Sequence, residues 1–130
     1  MENNNLDQIT LLSDVLRRVN EDMSDFWEQP AKSAMDKGSS DDYPLHKIAI
    51  WGDVDAAKVL LANGADINAL GEDGDTPLHR AIAGEKVEMA RFLILQGANV
   101  YLQNMYGNTA LDDITDSGSP ELMAMINEAR

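Results

Sequence analysis

Apolar positions fall into helical periods along most of the chain. Leu6, Ile9, Leu12, Val15, Leu16 and Val19 recur at three- and four-residue intervals. That spacing lines one face of a helix and predicts an amphipathic helix from about Leu6 to Glu21. Phe26 and Trp27 mark a second, short helix. Residues 30–42 hold Pro30, Gly38, Ser39, Ser40 and paired aspartates, a loop composition. Further on, Leu78, Ala81 and Ile82 share one helix face, and Met89, Phe92 and Leu93 share another. Thr76 can cap the first of these helices, and Pro77 suits its first turn, where a missing N–H costs nothing. Gly97 stops the second, since a glycine adopts positive φ cheaply. The run Ala69–Gly74 is rich in turn formers, and Ser119-Pro120-Glu121 opens a last helix through Leu122, Met123, Met125 and Ile126. Every element predicted is a helix or a turn, so the fold class is all-α.

The helices and turns repeat. Pro44-Leu45-His46 returns 33 residues later as Pro77-Leu78-His79, and Gly64-Ala65-Asp66-Ile67 returns at the same interval as Gly97-Ala98-Asn99-Val100. Thr76-Pro77-Leu78-His79 returns, weakened, as Thr109-Ala110-Leu111-Asp112. Three markers with one period resemble the ankyrin-repeat family, whose period is about 33 and whose signature is T-P-L-H-x-A. The resemblance covers about residues 38–130. It implies a solenoid of about three repeats, the last truncated. Three positions depart from the pattern. Tyr43 replaces the capping Thr, so the first repeat is expected to lose that cap. Glu85 replaces the glycine between the two helices of the second repeat, and Asp112 replaces the motif histidine of the third.

A repeat buries its faces against its neighbours, so an array must close its ends. At the C-terminal end Asp112, Asp113, Thr115 and Asp116 make the first helix of the last repeat polar. At the other end residues 1–37 are expected to form a helical cap, with residues 38–130 packed on it in one folding unit. The same N-terminal helix is also long enough to serve as a partner-binding or dimerisation arm.

Charge narrows the function. The 130 residues carry 23 acids and 10 bases, a net charge of −13. Such a field repels nucleic acid and anionic lipid and attracts basic surfaces, although acidity also simply keeps a protein soluble. The second repeat, residues 75–107, is neutral, with three acids and three bases, while the segments on either side are acidic. With no cysteine, disulfides and thiolate metal sites are excluded. The N-terminus lacks a basic region followed by an apolar core, and runs such as Ile48–Trp51 and Val59–Ala62 are too short to cross a bilayer. The expectation is a cytoplasmic protein, monomeric when free.

Candidate chemistry is sparse. His46 and His79 both lie in the repeat motif, where the resemblance implies a structural hydrogen-bonding role. There is no phosphate loop, zinc-spaced set or nucleophile elbow. The acidic stretches around Asp53 and Asp73 lack the ligand series of a calcium loop. No catalytic residue, metal or cofactor is expected, and the chain is read as a non-enzyme.

The resemblance instead implies a protein-binding groove formed by the hairpin fingers between repeats and the exposed side of each first helix. Carried over by position, this places Asp42, Leu70, Glu72, Asp73, Asp75, Gln103, Met105 and Tyr106 on the fingers. Ile50, Trp51 and Asp116 fall at the groove-facing ends of the first helices. Trp51 is a large aromatic at an outward position, typical of an interface anchor, unless it packs on the N-terminal cap. Aromatic anchors inside an acidic rim fit a partner with a basic surface and an apolar knob. The leading expectation is an inhibitor, such as an immunity protein neutralising a toxin domain. A non-inhibitory adaptor is the alternative.

Overall fold

Three short helices in this chain begin where a side chain satisfies a free N–H group of the first turn. The computed structural model describes the backbone of residues 5–129 and the side chains of residues 11–128. It contains α1 (Asn5–Asp22), a 3-10 turn at Ser24–Phe26, α2 (Pro44–Trp51), α3 (Val54–Ala62), α4 (Pro77–Ala83), α5 (Val87–Leu95), α6 (Ala110–Ser117) and α7 (Pro120–Ala129). Thr76 caps α4 by accepting the His79 N–H, and Thr109 caps α6 by accepting that of Asp112. Asp53 does the same for α3 at the Ala56 N–H, 3.0 Å away. Tyr43 gives α2 no side-chain cap, but the return half of the capping box survives: its own N–H donates to His46 Nδ1 at 3.0 Å. Asp112 fills the histidine's role in the third repeat, its carboxylate accepting the Thr109 N–H at 3.0 Å.

The helices stack in two rows. α2, α4 and α6 lie side by side, and α3, α5 and α7 back them, each packed on its own partner. Among the described residues this is an all-α fold of helix pairs stacked at the 33-residue interval. Between the rows sits one core, with Leu45, Ile48, Leu60, Leu78, Met89, Leu93 and Ile114 sealed from solvent. Ala49 and Ala81 in the front row and Ala57 and Ala90 in the back row are fully buried. These small side chains let the helix backbones approach closely, and each larger neighbour buried between them contributes about 1.5–3 kcal/mol.

The N-terminal segment extends this core. Val15, Leu16 and Val19 of α1, and Phe26 after it, are buried in the same cluster as Leu45 and Ile48. The side chains of Leu6 and Ile9 lie outside the described residues. Trp27 is exposed, in contrast to its neighbour Phe26. The loop that follows is pinned by Asn20, whose side chain exchanges two hydrogen bonds with the backbone of Ala31, at 3.0 and 2.7 Å. Arg18 reaches from α1 to Asp53, at 2.7 Å, and so holds the cap of α3. No helix among the described residues is long and apolar enough to cross a membrane.

Candidate functional site

Three fingers project from the front row at the 33-residue period. In each, the N–H of the first residue donates to the carbonyl of the fifth: Gly38 to Asp42 at 2.9 Å, Gly71 to Asp75 at 2.8 Å, and Asn104 to Asn108 at 2.9 Å. The fourth residue takes positive φ in all three, 71° at Asp41, 72° at Gly74 and 82° at Gly107. Neighbouring fingers are tied together by the Met105 N–H donating to the Asp73 carbonyl at 2.8 Å. The motif histidines hold the second and third fingers to the helix before each. His46 accepts the Tyr43 N–H at Nδ1, so the proton is on Nε2, which donates to the carbonyls of Asp75 (2.8 Å) and Ala69 (3.0 Å). His79 repeats this with the Asn108 carbonyl, at 3.0 Å. Burial lowers the pKa of His46 against the pull of Asp42 and the two carbonyls, which fits a neutral, purely structural imidazole.

Under the fingers runs a ladder of alternating charge. Asp25 pairs with Lys47, Lys47 with Asp42 at 3.1 Å, and Asp42 with Arg80 through two bonds of 2.8 and 3.0 Å. Arg80 also donates to Asp75 at 3.0 Å and to the Glu72 carbonyl at 3.1 Å. Asp75 then accepts from Asn104 of the third finger, at 3.1 Å. The ladder joins the N-terminal segment to all three fingers. Burial alone pushes the Asp42 carboxyl up, but the Glu72 N–H and Arg80 outweigh it and hold the group below the usual carboxylate range. Lys47 and Arg80 are raised in turn, their carboxylates outweighing burial.

This overturns one expectation. Asp42, assigned to the partner-binding set, is 0% exposed. Its oxygens are spent on Lys47, Arg80 and the Glu72 N–H, 2.8 Å away. It sits at the finger's base because Gly71 of the next repeat packs on it. A Cβ at Gly71 would lie 2.3 Å from Asp42 Oδ1 and 2.8 Å from the His46 ring. Asp42 therefore positions the second finger and cannot meet a partner.

The other assigned residues are reachable to different degrees. Met105 and Tyr106 are each 69% exposed at the third fingertip, and Leu70 is 52% exposed at the root of the second. Glu72, Asp73, Gln103 and Asp116 are exposed. Asp75 is half-buried and committed to Arg80 and Asn104. Ile50 and Trp51 are exposed at the end of α2, with the Arg18 guanidinium 6.0 Å from the Trp51 ring centroid. Trp51 thus offers one face outward and rests partly against α1. The Tyr106 hydroxyl is 3.5 Å from Asp73, linking two fingertips.

Lys47 and Arg80, which set the finger geometry, were not among the residues assigned from the sequence. The signal for them was available: they share one register, 33 apart, as do Asp42 and Asp75 with the opposite sign. Among the described residues no group of three or more His, Asp or Glu side chains is arranged to hold a metal ion. Residues 45–94 match the family model for ankyrin repeats (many copies). No curated protein matches the chain.

Proposed function

We propose that the finger face binds and inhibits a partner protein with a basic surface, a reading supported by the match of residues 45–94 to ankyrin repeats, which serve as protein–protein interaction modules. The observation that carries this reading is the third fingertip. Met105 and Tyr106 are each 69% exposed although neither contributes to the core. Aromatic and methionine side chains at an exposed tip are typical of interface anchors. Beside them stands Asp73, its carboxylate 3.5 Å from the Tyr106 hydroxyl, with the exposed Glu72 next to it in the chain. A net charge of −13 would speed encounter with a basic partner and suppress encounter with an acidic one. A basic active surface of a nucleic-acid-degrading toxin domain is the kind of target such a face would cover, and covering it would block its substrate. Immunity to such a toxin, exercised in the cytoplasm, is the role this reading assigns to the chain.

The adaptor reading has one observation in its favour. Leu95 and Tyr101 are 66% and 60% exposed at the end of α5 and in the loop after it, and a second surface there would allow two partners at once. One experiment separates the readings. The chain is cross-linked in its native cells, the captured protein identified, and that protein's own activity assayed with the purified chain added stoichiometrically. Inhibition that is lost in the Met105→Ala/Tyr106→Ala double variant is expected. Full activity in the complex would eliminate inhibition, and undiminished binding by the double variant would eliminate the finger face.

A further inference from the structure

The first finger lacks a restraint that the other two share. His46 holds the second finger through the Asp75 carbonyl, and His79 holds the third through that of Asn108. These are the two histidines of the chain, and one period before His46 stands Ser13, on the back-row helix α1. Among the described residues no front-row helix precedes α2. The first finger is therefore held without a histidine.

The N-terminal segment nevertheless carries parts of a repeat in register. Ser33, Asp66 and Asn99 follow one another at 33 residues. The side chain of each accepts the N–H two residues on: Met35 at 3.3 Å, Asn68 at 2.9 Å and Tyr101 at 2.9 Å. The residues between, Ala34, Ile67 and Val100, all pack on the core. The loops also stack alike. The Asp66 N–H donates to Met35 Sδ at 3.2 Å, as the Asn99 N–H does to Asn68 Oδ1 at 2.9 Å. Since α1 packs on α3, it continues the back row. Back-row helix and loop are present; the front-row helix and its histidine are not.

Asp25, in the turn at Ser24–Phe26, makes the contacts that a preceding repeat makes elsewhere. Its carbonyl accepts the N–H of Ser39, the second residue of the first finger, at 2.7 Å. Met105, the second residue of the third finger, donates to the Asp73 carbonyl in the same way. The Asp25 carboxylate accepts from the Ser40 hydroxyl and pairs with Lys47, as Asp42 pairs with Arg80 one repeat later. The fit is close. A Cβ on Gly38 would stand 2.9 Å from the Asp25 carbonyl oxygen and 3.1 Å from the Phe26 ring, much as one on Gly71 would strike Asp42 and His46. Phe26 is fully buried and anchors the turn.

We propose that the N-terminal segment serves as a half repeat in which Asp25 is the positioning residue of the first finger, supplying from a three-residue turn the restraints that a preceding repeat and its histidine give the other two. Each repeat is ordered by its neighbours, so the first finger is ordered only while this turn is docked. Docking of the N-terminal segment thus adds the first finger to the face or withdraws it, while His46, Asp42 and His79 keep the second and third in place.

The test is amide hydrogen exchange of the full chain, free of partners, in Asp25→Ala and Gly38→Ala. The first variant removes the carboxylate and leaves the backbone. The second displaces the turn with an added methyl group and leaves the carboxylate. Expected in both is exchange faster by at least about tenfold at the N–H groups of residues 38, 39 and 41, which all donate within the first finger or to Asp25. Gly71, Asn104 and Met105 should stay within about twofold of their wild-type rates, because their acceptors lie outside the first finger. A residue that contributes only to overall stability would speed all three fingers alike. Equal acceleration in the three fingers, or unchanged exchange at the first finger in Asp25→Ala, would overturn the proposal. Should Gly38→Ala fail to fold, Asp25→Ala alone decides. No partner is present, so the result is independent of which face of the protein binds one.

Discussion

Asp42 shows how far a single side chain can depart from the role its position suggests. By repeat register it is a finger residue, yet burial and three ionic or hydrogen-bonded partners make it a structural post. Removing its charge leaves Arg80 and Lys47 without their shared counterion, and breaking a buried pair of this kind costs about 3–5 kcal/mol. Asp42→Asn is therefore expected to lose about 3 kcal/mol in urea unfolding; a loss below the error of the measurement would mean that the ladder contributes nothing. The ionisable groups also set a pH profile. His46 is depressed in the fold, so the unfolded chain binds more protons below its ordinary value of about 6.5, and stability falls as pH drops through that window. Asp25, Asp42 and Asp53 are lowered as well. Their contribution is complete above about pH 4 and is lost as pH falls below it. Melting temperature followed from pH 7 to pH 3 should decline in two stages, first from His46 and then from the carboxylates. A flat profile between pH 7 and pH 5 would contradict the burial assigned to His46.

At the scale of elements, the junction between the two helices of each repeat has a definite backbone requirement. Gly52 and Gly118 meet it with φ of 80° and 70°, and Glu85 occupies the same register with φ of 58°. A side chain in the left-handed region costs about 1–2 kcal/mol relative to glycine. Glu85→Gly is expected to raise stability by about 1 kcal/mol in denaturant unfolding. A loss instead would show that the Glu85 side chain makes contacts that outweigh the strain. The helices themselves were legible in the sequence because their signals are local: Thr76-Pro77, Thr109 and the apolar faces each act within one or two turns. The 33-residue period carried the stacking as well. Compensations at the irregular positions were not legible. Nothing in the sequence around Asp112 announces that its carboxylate will accept the Thr109 N–H in place of a histidine, or that His46 will keep half of a capping box with Tyr43. These depend on which rotamer the backbone leaves open. The burial of Asp42 depends on Arg80, 38 residues away, and on the close approach of Gly71. Register says that a residue belongs to a finger but not which side of the finger it faces.

At the scale of the whole molecule, the two rows of helices separate two tasks. The back row and the core hold the array together, while the front row carries fingers whose tips are free. The ladder links the N-terminal segment to those fingers through Asp25, Lys47, Asp42 and Arg80, so docking of that segment and finger geometry are mechanically joined. An acidic face that meets a basic one should bind faster at low salt, and the association rate is expected to fall by about tenfold or more between 20 and 300 mM salt. A rate that does not change with salt would exclude electrostatic steering. The central claim is that the finger face is the binding face, and amide hydrogen exchange of the chain with and without its captured partner tests it most directly. Protection should rise across Leu70–Asp75 and Gln103–Asn108 and along α6, and remain unchanged on α3 and α5. Protection confined to the back row, with the fingertips exchanging as fast as in the free chain, would contradict it.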